Sequence, residues 1–444
     1  MKKIFGNFSS SIIILILLLS ACSSNPEQVV VTQIVNTPIN QGAAEENAFD
    51  STPEPIDTSQ PENLINLDEG PITIYHIGDL TSRFAPYNAP AIRGLEDWAQ
   101  VINNEDGILG HELVLDYSEN GGDVKETISA FEKIVENDNN PLMVVVYQTE
   151  HAEAILPIAR KNEIPVINLG IMPVQPEFQT EDFLFNFYVP YDEQLSFFLE
   201  FLVDNWAEIN PVTLDTGIRL AYFAWEDFFG QSALTAGNRE LLESLGIQLV
   251  AEEYYLPSSV ENISNAVVGA WYAGANVIYT NTYMHGPALI LNNLNRLVLR
   301  DFFVVGGPSP TLDITSYSYL EYNSYLEGFY APSPYPWYSD ENNIAIHLLK
   351  DNLENSDRTI ADNSQKRILA QGVLELLVFT IEEALLESEG GKINGNSIYA
   401  ILENLEGYQV MDSLFEIDFT DGNRTLNVMQ MRQVRDFLGF ELLE

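Results

Sequence analysis

The sequence predicts an α/β protein built as two parallel-sheet lobes in series, and three observations predict it. From Pro71 onward, short β-rich apolar runs alternate with segments of helical period, the pattern of βαβ units. The series restarts near Val189-Pro190, which points to a second sheet. At 444 residues the chain is also too long for one compact core.

The first series opens with a β-rich run at Ile72 to Ile77 and an amphipathic helix at Ile92 to Ile102, stopped by Asn103-Asn104 and Gly107. His111 to Tyr117 alternates as a strand, and Val124, Ile128, Phe131 and Val135 recur at helical spacing. Leu142 to Val146 is a continuous apolar run, as expected of a strand buried on both faces. A helix at Ala152 to Arg160 and a strand at Pro165 to Leu169 complete the series. The second series has helices at Gln194 to Trp206, Ser232 to Leu245 and Pro287 to Leu299. Its strands are Ile218 to Ala224, Gln248 to Tyr254, Asn276 to Thr280 and Phe302 to Val305. After Gly328 comes a loop rich in Pro and aromatics, Tyr330 to Trp337, then helices at Asn342 to Asn352 and Gln365 to Leu386. Asp421-Gly422, between two β-type runs, reads as a hairpin turn.

The N-terminal part reads differently. Lys2 and Lys3 precede an unbroken apolar run, Ile12 to Leu19, too short to span a bilayer, and then Leu19-Ser20-Ala21-Cys22. This is a secretory signal peptide, and its end resembles a bacterial lipobox, which implies cleavage and lipidation at Cys22. Several acyl chains on one residue anchor a protein durably, at about 0.8 kcal/mol per buried CH₂. Ser23 to Gly70 carries nine acids and no Lys or Arg, and is expected to be a disordered tether with a reach of roughly 40 Å. Cys22 is the single cysteine, which excludes disulfides and Cys-based zinc sites within the chain. Lys+Arg total 20 against 65 Asp+Glu, a net charge of −45, which argues against nucleic acid or an anionic membrane surface as a partner through a basic patch.

A longer constellation carries a family resemblance. It runs Gly78-Asp79-Leu80-Thr81 through Tyr87, Arg93-Gly94, Ile102-Asn103, Gly107-Ile108-Leu109-Gly110 and Gly121-Gly122-Asp123. Pro157-Ile158-Ala159 and Ile164-Pro165-Val166-Ile167 follow, then Asp227-Phe228-Phe229-Gly230-Gln231 and Asp421-Gly422-Asn423-Arg424. In order and spacing these resemble the type I periplasmic binding proteins of branched-chain amino-acid-type ABC transporters, from about Ile72 to Phe437. The resemblance implies two Rossmann-like lobes joined by three crossover strands, with a ligand between them. The crossings are expected near Tyr188 to Tyr191, near Gly328 to Pro332 and after Gly407. The lobes are then 71–189 plus 329–410, and 190–328 plus 411–444, behind a signal peptide at 1–21 and the tether at 22–70.

In open parallel sheets ligands sit beyond the carboxyl ends of the strands, where helix N-termini offer free N–H groups. The loops in question hold Thr81, Ser82 and Arg83, and the resemblance implies Tyr87 as a flanking aromatic. It also implies a carboxylate site at Gln148-Thr149 and Gly170-Ile171, with Glu150 beside it, and a second-lobe wall at Phe229 and Tyr283 or Met284. Thr149 has two readings, a ligand hydroxyl and a helix N-cap, and the two are compatible. Arg83 reads either as an anion partner or as a surface residue. The acid that would hold an α-ammonium is expected near Gly307-Pro308-Ser309, and none stands there. Glu150 beside the carboxylate site would repel an anion unless protonated or turned away. An α-amino acid, an amide, a polyol, an aromatic acid and a cationic solute all stay open.

No G-x-S-x-G, H-E-x-x-H or P-loop pattern is present, and the five histidines show no ligand spacing. His151 and His285 are expected to be solvated loop residues. No catalytic residue, metal or cofactor is expected. The expectation is an extracytoplasmic, monomeric, lipid-anchored receptor that closes on a small solute and hands it to a permease with ATPase subunits. Its alternatives are a sensing or regulatory lipoprotein of the same fold and a secreted hydrolase.

Overall fold

The computed structural model describes residues 70–82, 84–138, 141–178, 182–209, 217–256, 262–388, 392–436 and 439–443. The signal peptide, Cys22, the tether and Arg83 lie outside them. All described residues fall in one compact unit, Asn40–Leu443.

Two sheets form the frame. The first contains β1 (Ile72–Gly78), β2 (Leu113–Glu119), β3 (Val144–Val146), β4 (Val166–Asn168) and β5 (Leu184–Asn186), in the order β2-β1-β3-β4-β5. All its pairings are parallel. Central β3 is buried at every position, whereas edge strand β2 is half exposed, which is why one reads as a solid apolar run and the other alternates. Between the strands lie α1 (Ala85–Asn104), α2 (Val124–Asn137) and α3 (Thr149–Lys161).

The second sheet follows α4 (Tyr191–Ile209) and contains β6 (Arg219–Trp225), β7 (Gln248–Tyr255), β8 (Val277–Asn281), β9 (Val304–Gly306) and β10 (Phe329–Ser333). Its short helices are α5 (Phe228–Gln231), α6 (Ala236–Ser244), α7 (Ser264–Tyr272), α8 (Gly286–Arg296) and α9 (Ile314–Tyr317). After α10 (Ile344–Asn355), α11 (Gln365–Glu387), α12 (Gly395–Glu403) and the two-stranded ribbon β11 (Tyr408–Val410) with β12 (Phe415–Ile417), the chain returns as β13 (Gln430–Asp436) and β14 (Gly439–Leu442). The sheet order is β14-β13-β10-β9-β8-β6-β7. It is parallel from β7 to β10 and antiparallel from β10 to β14.

Two expectations move. The second crossing is expected near Gly328 to Pro332, but β10 pairs in parallel with β9, so the chain leaves this sheet only after Ser333, and 329–333 belong with the second sheet. Asp421-Gly422 does not close a hairpin. Asp421 adopts a left-handed φ of 54°, so the local turn signal is sound. The flanking strands β12 and β13 belong to different sheets, and the segment between them is the third crossing.

The crossings are tied together. Asn186 N–H donates to Arg424 O (2.9 Å), and Leu426 N–H donates to Tyr188 O (3.1 Å). The buried Arg424 guanidinium donates to Asp182 O, Phe419 O, Asn423 O and Tyr399 Oη, and lies 4.9 Å over the Phe185 ring. Helix α11 packs along α1, where a Cβ on Gly94 would meet Arg367 Cγ at 2.9 Å. Asp97 on α1 accepts from Arg358 (Nε, 2.9 Å) and from the fully buried Arg367 (Nη2, 2.7 Å).

Candidate binding cleft

A cavity lies where the two sheets' carboxyl ends meet the crossings. Its wall draws Tyr87 from α1, Gly170 and Ile171 after β4, and Tyr188, Val189, Tyr191 and Gln194 around the first crossing. Ser309 and Asp313 come from after β9, Tyr335 from the second crossing, and Gln365 and Lys366 from the start of α11. The cavity volume is about 30 Å³, room for a water molecule or two and less than a solute needs.

The polar groups of the wall hold one another. Ser309 N–H donates to Gln194 Oε1 (2.7 Å), and Gln194 Nε2 donates to Val189 O (2.7 Å). Gln365 Nε2 donates to Ser333 Oγ (3.2 Å). Tyr191 Oη donates to Ile171 O, and Tyr335 Oη to Phe187 O. Ser364, the N-cap of α11, accepts from Lys366 N–H (3.1 Å) and donates to Asp313 Oδ2 (2.7 Å).

Lys366 is the residue that charge and burial single out. Its side chain is buried, its Nζ donates to Leu169 O (2.8 Å), and the ammonium stands 4.4 Å from the centre of the Tyr87 ring. Burial pushes its pKa down to about 7, and the negative charge of Asp313 works against that fall.

Of the residues expected from sequence, Tyr87, Gly170 and Ile171 line this cavity. Thr149 stands directly behind Gly170, where a Cβ would meet Thr149 N at 2.4 Å. Its hydroxyl donates to Met172 O (2.7 Å) and accepts from Asn168 Nδ2 (3.2 Å), while Gln148, not Thr149, is the N-cap of α3. Gln148 is half-buried beside it. The side chain of Glu150 is 62% exposed, turned away from the cavity, 3.7 Å from His151 Nε2. Thr81 and Ser82 belong to the turn that launches α1. Their N–H groups both donate to Asp79 Oδ1, and Thr81 Oγ1 donates to Glu119 Oε1. Phe229 is fully buried one layer back, 4.5 Å from the Tyr191 ring and 5.0 Å from that of Tyr283. Tyr283 Oη donates to Asp227 Oδ2 (3.1 Å), and Met284 takes a left-handed φ of 55° in the same turn.

His151 is buried rather than solvated, with Nδ1 against Asn120 Nδ2 (2.9 Å) and Thr127 Oγ1 (2.8 Å). His285 is half-buried, its ring 4.9 Å from that of Trp225. Asp313, Lys366, Gln365 and Gln194 were missed by sequence reasoning. Asp313 supplies a cleft acid four residues beyond Ser309, where one was sought. Tyr188 falls in a segment expected as a crossing, and Tyr335 in the loop rich in Pro and aromatics at Tyr330 to Trp337, which was the available signal. Among the described residues no group of three or more His, Cys, Asp or Glu is placed to hold a metal ion.

Comparison with known proteins agrees with the fold. The profile of a family described as periplasmic binding protein matches residues 71–436. No curated protein sequence matches. Among solved structures, a branched-chain amino-acid ABC transporter protein from Thermus thermophilus with bound valine superposes with a TM-score of 0.70. It is 18% identical, over 84% of this chain and 96% of that one. A branched-chain amino-acid transporter substrate-binding protein from Streptococcus pneumoniae in complex with isoleucine gives 0.67 at 14% identity, over 84% and 99%. A protein described as an ABC transporter permease from the Pseudomonas fluorescens group gives 0.68 at 17% identity, over 85% and 92%.

Proposed function

Because the chain belongs to the periplasmic binding protein family, we propose that it is a solute receptor: it captures a small polar molecule between its lobes and delivers it to an ABC permease. The observation that carries this reading is the cavity itself, walled by both lobes and by two of the three crossings. A ligand held there touches both lobes only when they are together, so it shifts the opening equilibrium by its difference in affinity for the two states. Most of the wall groups are aromatic rings, amides and backbone carbonyls hydrogen-bonded to one another, an arrangement that supports a reading of binding and release. Export and anchoring through a lipidated Cys22 complete the reading. They accord with the N-terminal sequence, and no described helix is long and apolar enough to cross a membrane.

The test is a thermal-shift screen of the chain from Asp68 onward against amino acids, amides, polyamines, sugars and organic acids. A ligand at 100 times its dissociation constant adds about 2.7 kcal/mol, a melting shift of a few degrees. Small-angle scattering of the responding complex is expected to show a smaller radius of gyration. Tyr87→Ala is expected to abolish the shift; a Tyr87→Ala protein that keeps wild-type affinity overturns the assignment of this cleft.

A further inference from the structure

Resting on the reading of the cavity as a solute site, we propose that Lys366 sets its specificity, and that the ligand is a compact carboxylic acid without an amino group whose carboxylate pairs with the Lys366 ammonium. Four observations lead here. First, Lys366 is 4% exposed and stands on the cavity wall. An ammonium has three N–H donors, and its hydrogen-bond acceptor among the described residues is one carbonyl, Leu169 O. A cation removed from water to this degree has spare donor capacity that an anion would use well.

Second, the features that would receive a ligand's own ammonium are engaged by the protein: the acid of the wall, Asp313, accepts from Ser364 Oγ, and its charge acts on the Lys366 ammonium. The Leu169 carbonyl and the face of Tyr87 both serve the protein's ammonium. Third, two neutral donors of the first lobe's loop are committed elsewhere. Thr149 Oγ1 donates to Met172 O, and Gly170 N–H donates to Asn168 Oδ1 (2.8 Å). Lys366 is the basic residue of the lining. Fourth, Glu150, the acid that would repel an anion, faces solvent. Asp313 lies on the same wall and accepts from Ser364 Oγ. Its charge disfavours a second carboxylate on the ligand by like-charge repulsion.

The experiment is calorimetric titration of the wild-type chain with lactate, 2-oxobutanoate, 2-hydroxy-3-methylbutanoate and benzoate, each beside its own amide, and with valine. At least one acid is expected to bind about tenfold or more tighter than its amide and than valine. That margin should disappear in Lys366→Met and survive in part in Lys366→Arg. If Lys366→Met does not fold, the acid-against-amide comparison in the wild type decides alone. The proposal is overturned if an amide matches its acid, if valine binds tightest, if Lys366→Met holds the acid as the wild type does, or if no acid binds. Binding of a sugar or polyamine with no acid bound would sink the carboxylate proposal and leave the solute receptor standing. Silence across both panels would remove both.

Discussion

Lys366 shows how one side chain couples the cleft to pH. Its pKa falls from 10.5 in a free side chain to about 7 in the fold, because burial penalises the charged form. A cationic group with a depressed folded value costs stability wherever it is charged. The cost is full below about pH 7 and fades as pH rises to 10.5, where both states are neutral. Wild type is therefore expected to gain on Lys366→Met between pH 7 and pH 9, by on the order of 1 kcal/mol per pH unit at most. Chemical denaturation of both proteins at the two pH values measures this, and parallel curves would contradict it. A bound carboxylate works in the opposite sense, since it stabilises the ammonium and draws the pKa back up. The local sequence gives no hint of any of this. Ser364-Gln365-Lys366-Arg367 reads as a polar helix start, and only the packing of α11 against α1 and the Gly170 loop buries it.

At the scale of elements, the pairing of α1 with α11 is the contact to test. Burial raises the Asp97 carboxyl, but hydrogen bonds from Arg358 and Arg367 outweigh it and hold the group below its usual range. Asp97→Ala strands the fully buried Arg367 and is expected to cost about 3–5 kcal/mol. Arg358→Gln, whose side chain is 24% exposed, should cost under about 1 kcal/mol. Urea midpoints compare the two, and equal losses would show that Arg367 is not the vulnerable partner. Elements of this kind were largely legible. The strand runs at Leu142 to Val146 and Ile218 to Ala224 betray burial on both faces, and Gln365 to Leu386 nearly matches α11. What was not legible is partnership. Asp421-Gly422 signals its turn faithfully, yet nothing local tells that β12 and β13 lie in different sheets. In the site, Tyr87, Gly170 and Ile171 were readable from the family resemblance together with loop position. Asp313 and Lys366 were not, because they reach the cavity from segments remote in sequence.

For the whole molecule, acid should act oppositely on the two lobes. His76 in β1 and His151 in α3 are held neutral by burial, with values lowered to about 4. Their contribution is intact above pH 6.5 and lost as pH falls toward 4. Glu193 in α4 is raised to about 7, by burial first and then by Asp192. A carboxyl raised in the fold costs stability when ionised, so acidification from pH 7 toward 4.5 relieves it. Hydrogen exchange, corrected for intrinsic rates, is expected to show β1 and β3 losing protection between pH 7 and pH 5 while β6, β8 and β9 keep theirs. Loss confined to the second sheet would reverse the assignment.

The return of β13 and β14 to the second sheet, after α10 to α12 have packed beside the first, has a consequence for biosynthesis. Neither half is a contiguous stretch of chain. The first waits for α11 to cover α1, and the second waits for a border strand from residues 430–436 to flank β10. A nascent polypeptide emerging N-terminus first therefore has no covered first half before α11 emerges, and no completed second sheet before residues 430–436 do. Until then β10 presents an unpaired edge, which a folding chain must keep from pairing with a neighbour.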